Sequence, residues 1–133
     1  MIYLDTAALV KLVRREAATD ELVDWLNAQV DRIFISSAVA EVELPRALRR
    51  SEPELLSAVP AVLARVAIYD LDEMVRTTAA AYQDPSVRSL DAIHLATADA
   101  ILGDDLTAFV SYDRRLLAAA KAIGLPTESP GMG

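Results

Sequence analysis

Residues 1–12 read MIYLDTAALVKL, and the order of their chemistry decides the fold. Ile2, Tyr3 and Leu4 suit a buried strand and run straight into Asp5. Ala8, Leu9, Leu12 and Val13 then recur at helical spacing, with no glycine turn between the two patterns. A strand that carries a carboxylate at its tip and turns at once into a helix fits an α/β unit. In open parallel sheets of that class, ligands bind outside the carboxyl ends of the strands, so Asp5 is a candidate functional residue. A helix N-cap would by itself also place an acid there.

The alternation continues along the chain. Further β-type runs fall at 33–36, 66–69 and 108–112, separated by long helix-patterned stretches. Spacing predicts a helix over 19–30, with Thr19 or Asp20 as its cap, and a helical block from Ser37 that Pro45 should kink by removing an amide. More helices are expected over 53–65, 71–81, 90–100 and 115–123, with Asp70 capping the helix that begins at Leu71 and Gly124 stopping the last. The tail PTESPGMG reads as a short extended piece and a frayed end. The expectation is one α/β domain over residues 1–133, with a central, mainly parallel sheet of four to five strands covered on both faces.

Composition narrows the chemistry. Cysteine is absent and His94 is the sole histidine, which removes thiol nucleophiles, Cys-type zinc sites and HExxH motifs. None of the four glycines forms a nucleotide-binding loop. Carboxylates, hydroxyls and arginines remain. The net charge of −7 disfavours indiscriminate nucleic-acid binding, so a nucleic-acid role needs local basic patches and metal ions. No apolar run suggests a membrane span and the first residues lack signal-peptide features, so a cytoplasmic location without membrane contact is expected. Apolar residues make up 53% of the chain, slightly above the usual roughly 45–50%, which leaves some to cover a partner surface.

Asp5, Asp70 and Asp113 all follow β-type runs, and local pattern does not separate them. Glu43 and Asp91 lie on helical segments, and Glu41 stands about 200° around the helix from Glu43, so the two cannot face one pocket. A bare cluster of such acids repels itself: two like charges about 4 Å apart cost roughly 4 kcal/mol at an effective dielectric near 20. Hard divalent cations with oxygen ligands relieve that cost. His94 is read as a packed, hydrogen-bonded helix residue rather than a ligand, because Mg²⁺ favours oxygen.

The segments IYLDTAALVKL, ISSAVAEVELPRALRR, SLDAIHLATA and FVSYDRRLLAAAKAIGL, in that order, resemble the signature blocks of PIN domains, specifically the VapC toxins of bacterial VapBC toxin–antitoxin modules. The resemblance implies a PIN-like three-layer α/β/α sandwich and an endoribonuclease whose acids bind Mg²⁺, with Mn²⁺ as substitute. Carried over by motif, those acids are Asp5, Glu43, Asp91 and Asp113, with Thr6 and Ser111 as supporting hydroxyls. It further implies a homodimer, neutralised by a VapB-type antitoxin, that cuts structured RNA to leave 5′-phosphate and 3′-hydroxyl ends. Arg46 and Arg50 share a helical face and Arg114 adjoins Asp113, which makes these three the preferred phosphate contacts; Arg14, Arg15, Arg49 and Arg115 are further basic residues. Competing readings are a degenerate PIN domain that only binds a partner, a metal-dependent DNase or phosphatase using the same acids, and a phosphoacceptor or haloacid dehalogenase-like enzyme. The last needs an acid two residues after Asp5, where Ala7 stands.

Overall fold

The computed structural model describes residues 1–133. Five parallel strands, β1 (Ile2–Leu4), β2 (Phe34–Ser37), β3 (Ala67–Tyr69), β4 (Ala108–Val110) and β5 (Thr127–Glu128), lie in the order β3-β2-β1-β4-β5. β1 is central and buried on both faces, so its residues are apolar without alternation. Ile2 pairs with Phe34 on one side and Ala108 on the other, and Leu4 sits opposite Val110.

The pleat divides β1 between two cores. Ile2 and Leu4 join one with residues of α1 (Thr6–Val13), α2 (Thr19–Asn27), α3 (Ala40–Ser51) and α4 (Val59–Leu63). Tyr3 joins the other with Phe109 and residues of α6 (Ser89–Ala96) and α7 (Arg114–Ala122). α5 (Glu73–Ala81) packs on α6. The result is the expected α/β/α sandwich, and no helix is long and apolar enough to cross a membrane.

Several boundaries differ from the expectation. Pro45 lies inside α3, which runs unbroken from Ala40 to Ser51. The carbonyl deprived of its amide partner belongs to Glu41, an exposed residue that water can serve. Asp72, not Asp70, caps α5 by accepting the Val75 amide at 2.9 Å, and Ala18, at φ 71°, holds the cap position of α2. The helix expected over 53–65 is a 3₁₀ segment, Pro53–Ala58, followed by the short α4. α6 passes into a π-helical segment at Thr97–Leu102. Gly124 stops α7 as expected: at φ +86° its amide bonds Lys121 while the Leu125 amide reaches Ala120, the paired bonds of a Schellman motif.

Candidate active site

The order of the strands separates acids that local pattern leaves equivalent. Chain direction across the sheet reverses between β1 and β4, and a crevice opens at such a switch point beyond the carboxyl ends. Asp5 follows β1 and Asp113 lies just beyond β4, so both flank that crevice. The Asp5 amide continues the ladder by bonding the Val110 carbonyl at 3.2 Å. Asp70 follows β3 at the sheet edge, with β2 between it and β1.

Asp5 is only 3% exposed. Its Oδ1 accepts the Ala8 amide at 2.9 Å, so the residue does cap α1 while lying at the crevice. Burial pushes its carboxyl above the ordinary range; His94, the Ser111 hydroxyl and the Ala8 amide pull the other way, and the Asp91 charge adds to the rise. Ser111 is fully buried, and its Oγ accepts the Asp113 amide at 3.1 Å, tying two of the predicted residues together. Asp113 caps α7 through Oδ1, which accepts the amides of Arg115 at 2.9 Å and Leu116 at 3.3 Å.

Glu43 reaches the same region from α3. Its Oε1 accepts the Thr6 hydroxyl at 2.7 Å and lies 2.8 Å from Nε2 of His94. Burial is the largest single influence on this carboxyl and acts upward, but hydrogen bonds from His94 and Thr6 outweigh it and leave Glu43 below the usual range. Asp91, half-buried in the first turn of α6, is pushed up by burial first and then by the charge of Asp113, with Glu43 adding to it. The four predicted acids therefore belong to one electrostatic cluster: Asp91 senses Asp113 and Glu43, and Asp5 senses Asp91. No three of the Asp, Glu and His side chains stand close enough to hold an ion between them directly.

The basic residues sort differently from the expectation. A groove of about 540 Å³ beside Thr6 and Glu43 is lined by Arg46, Arg49 and Arg50, so Arg49 joins the pair chosen by helical face. None of the three enters an ion pair, whereas Arg14 and Arg15 are engaged by Glu16 and Asp20. Arg114 donates to the Gly133 carbonyl at 2.7 Å. A small cleft holds Asp91 and Asp113 together with Arg88 and Arg115. Arg88 escaped the sequence reading because only the fold brings residues 88 and 113 together.

Residues 2–122 match the model of the PIN domain. The chain belongs to the PIN-domain family. Within it, the chain is 53% identical over 132 residues to Ribonuclease VapC35 of Mycobacterium tuberculosis, with 98% of each chain covered, and 42% identical to Ribonuclease VapC47 of the same organism, again over 98% of each. These similarities place it among the VapC proteins. Solved structures share its architecture at low identity. Mycobacterium tuberculosis VapC20, a sarcin–ricin loop cleaving toxin, superposes with a TM-score of 0.75 at 17% identity, covering 98% of this chain and all of that one. The toxin–antitoxin complex from Klebsiella pneumoniae gives 0.72 at 20% identity, with 98% of each chain covered.

Proposed function

We propose that this PIN domain is a metal-dependent endoribonuclease, the toxin of a type II toxin–antitoxin system, acting through Asp5, Glu43, Asp91 and Asp113. The observation that supports this reading is that Asp5 and Asp113 flank the β1/β4 switch point and that Asp91, coupled electrostatically to Asp5, Glu43 and Asp113, is held like Asp5 in an environment that disfavours its charge. A cation relieves that cost. The donor set is oxygen only, because His94 has both ring nitrogens occupied by Tyr3, Thr6 and Glu43. Oxygen donors suit Mg²⁺ or Mn²⁺. Since no three of these groups form a closed cage, Asp5, Glu43, Asp91 and Asp113 would hold such an ion in part through water, as Mg²⁺ sites commonly do.

When bound, such an ion supplies an activated water and neutralises charge on the phosphate. The chain's own residues do the placing. Thr6 and Ser111 hold acids or their neighbours at fixed positions, and the unpaired Arg46, Arg49 and Arg50 give an RNA backbone a cationic track beside Glu43. The names of the relatives and the toxin–antitoxin neighbour support an RNA substrate and a VapB-type antitoxin partner. A cytoplasmic homodimer completes the reading.

The test is a panel of structured RNA, DNA and a phosphomonoester, each with Mg²⁺, Mn²⁺ or EDTA, run on the wild type, Asp91→Asn and Asp113→Asn. RNA cleavage that needs metal and disappears in both variants is expected. Cleavage in EDTA, or a preference for DNA or the monoester, would overturn the assignment; absence of cleavage on all substrates would favour a binding module.

A further inference from the structure

His94 is 2% exposed and lies on α6, in the layer opposite α1 and α3. Both of its ring nitrogens have partners. Nδ1 stands 2.6 Å from the Tyr3 hydroxyl, and Nε2 stands 2.8 Å from Glu43 Oε1 and 3.1 Å from Thr6 Oγ1. A residue from one layer thus reaches an acid carried by the other. Tyr3 is a fixed post for the ring: it is fully buried in the central strand and stacks on Phe109 with centroids 5.4 Å apart and planes 2° from parallel.

A count of hydrogens fixes the direction of the contact. Ionised Glu43 can only accept, and the single hydrogen of the Thr6 hydroxyl goes to Glu43 Oε1 at 2.7 Å. If Nε2 were bare, its lone pair would face a carboxylate oxygen at 2.8 Å with no hydrogen between them. Nε2 must carry the hydrogen, which leaves Nδ1 to the Tyr3 hydroxyl. Oε1 then holds two donors, and Oε2 accepts no hydrogen bond from the protein.

We propose that His94 is a positioning residue whose Nε2–H, backed by Tyr3 at Nδ1, fixes one oxygen of Glu43 and leaves the other for the metal or its water. A satisfied core histidine would share the burial but not the dependence on Glu43. The inference rests on the reading of Glu43 as part of the metal site, and it differs from a ligand role because His94 acts only through that residue. Partners of this kind behind a ligating carboxylate typically contribute roughly 10–100-fold in metal affinity or activity.

The test uses the intact chain and Mn²⁺ affinity measured by calorimetry without RNA. His94→Asn should weaken Mn²⁺ binding by about 10-fold or more. His94→Gln, whose amide nitrogen can occupy the Nε2 position, should stay close to the wild type. In a Glu43→Gln background, His94→Asn should add nothing, because coupled residues fail to add. As the only histidine, His94 also gives a single imidazole signal pair by ¹⁵N NMR, and Nε2 should be protonated. A bare Nε2, unchanged affinity in a folded His94→Asn chain, or the same loss of affinity with and without Glu43 would overturn the proposal. If His94→Asn does not fold, Tyr3→Phe, which removes the partner of Nδ1, should weaken Mn²⁺ binding in its place, and unchanged affinity there or a bare Nε2 in the wild-type spectrum would overturn the proposal. Unchanged affinity in Glu43→Gln alone would instead remove Glu43 from the metal site.

Discussion

The two halves of the acidic site are built on different principles. Around Glu43, Thr6, His94 and Tyr3 form a chain of side-chain hydrogen bonds between 2.6 and 3.1 Å, and the carboxyl ends below its usual range. Around Asp91 no such bonds form, and burial with the charges of Asp113 and Glu43 drives the carboxyl up. Asp5 lies between these extremes: it is capped through one oxygen, yet burial still raises it. The contrast teaches that one half is satisfied by the protein itself while the other stores a demand for positive charge.

The largest effect should come from Asp5→Asn, which removes the most buried member of the demanding set and keeps an oxygen to accept the Ala8 amide. Cleavage should fall by more than the roughly 100-fold that loss of an outer-shell partner brings. In EDTA the melting temperature should rise, on the order of a few degrees, because a buried charge is gone. Retained cleavage would remove Asp5 from the site, and a lower melting temperature in EDTA would show that its charge is not strained.

Thr6→Val probes the satisfied half. It leaves Glu43 with His94 as its only side-chain donor, and cleavage should drop about tenfold with less change in melting temperature than for Asp5→Asn. An equal or greater loss than that of Asp5→Asn would break the distinction between the halves.

pH separates the halves by sign. Asp5 and Asp91 have raised carboxyls in the fold, so the stability linked to them is fully present below their unfolded value of about 3.9 and is lost as pH rises through the folded values. Glu43 is depressed, so its contribution is present above about 4.3 and is lost as pH falls through its folded value. In EDTA, acidifying from neutrality should therefore first favour the fold through Asp5 and Asp91, then disfavour it through Glu43. Asp5→Asn should flatten the upper arm and Glu43→Gln the lower one. The check is melting temperature against pH for the three proteins; identical upper arms for the wild type and Asp5→Asn would contradict the assignment.

The fold was legible because the signals lay within single segments. The apolar run 2–4, the helical spacing after Asp5 and the glycine stop at Gly124 each name an element without reference to the rest. What stayed hidden depended on strand order. Asp70 and Asp113 look alike beside their strands, yet one ends at the sheet edge and the other beside the switch point. In the sequence only the family resemblance separates them. His94 is packed and hydrogen-bonded as expected, but its partners sit 91, 88 and 51 positions away, and no local spacing announces them. Pro45 does not end α3: its missing amide matters less where an exposed first turn lets water reach the freed carbonyl.

The smallest expected effect concerns the groove beside the satisfied half. Arg46, Arg49 and Arg50 are free of ion pairs, so each can neutralise a phosphate without first breaking a bond to the protein. Replacing one of them by Ala should weaken RNA binding to a similar extent across sequences and reduce the slope of log affinity against log salt by about 1. Arg114 starts with the Gly133 carbonyl as a partner, so Arg114→Ala should change that slope less. Binding of a catalytically inactive Asp5→Asn protein to structured RNA at several salt concentrations gives the comparison directly. A slope that changes more for Arg114 than for the groove arginines would move the RNA path to the Asp91–Asp113 side, where Arg88 and Arg115 line the smaller cleft.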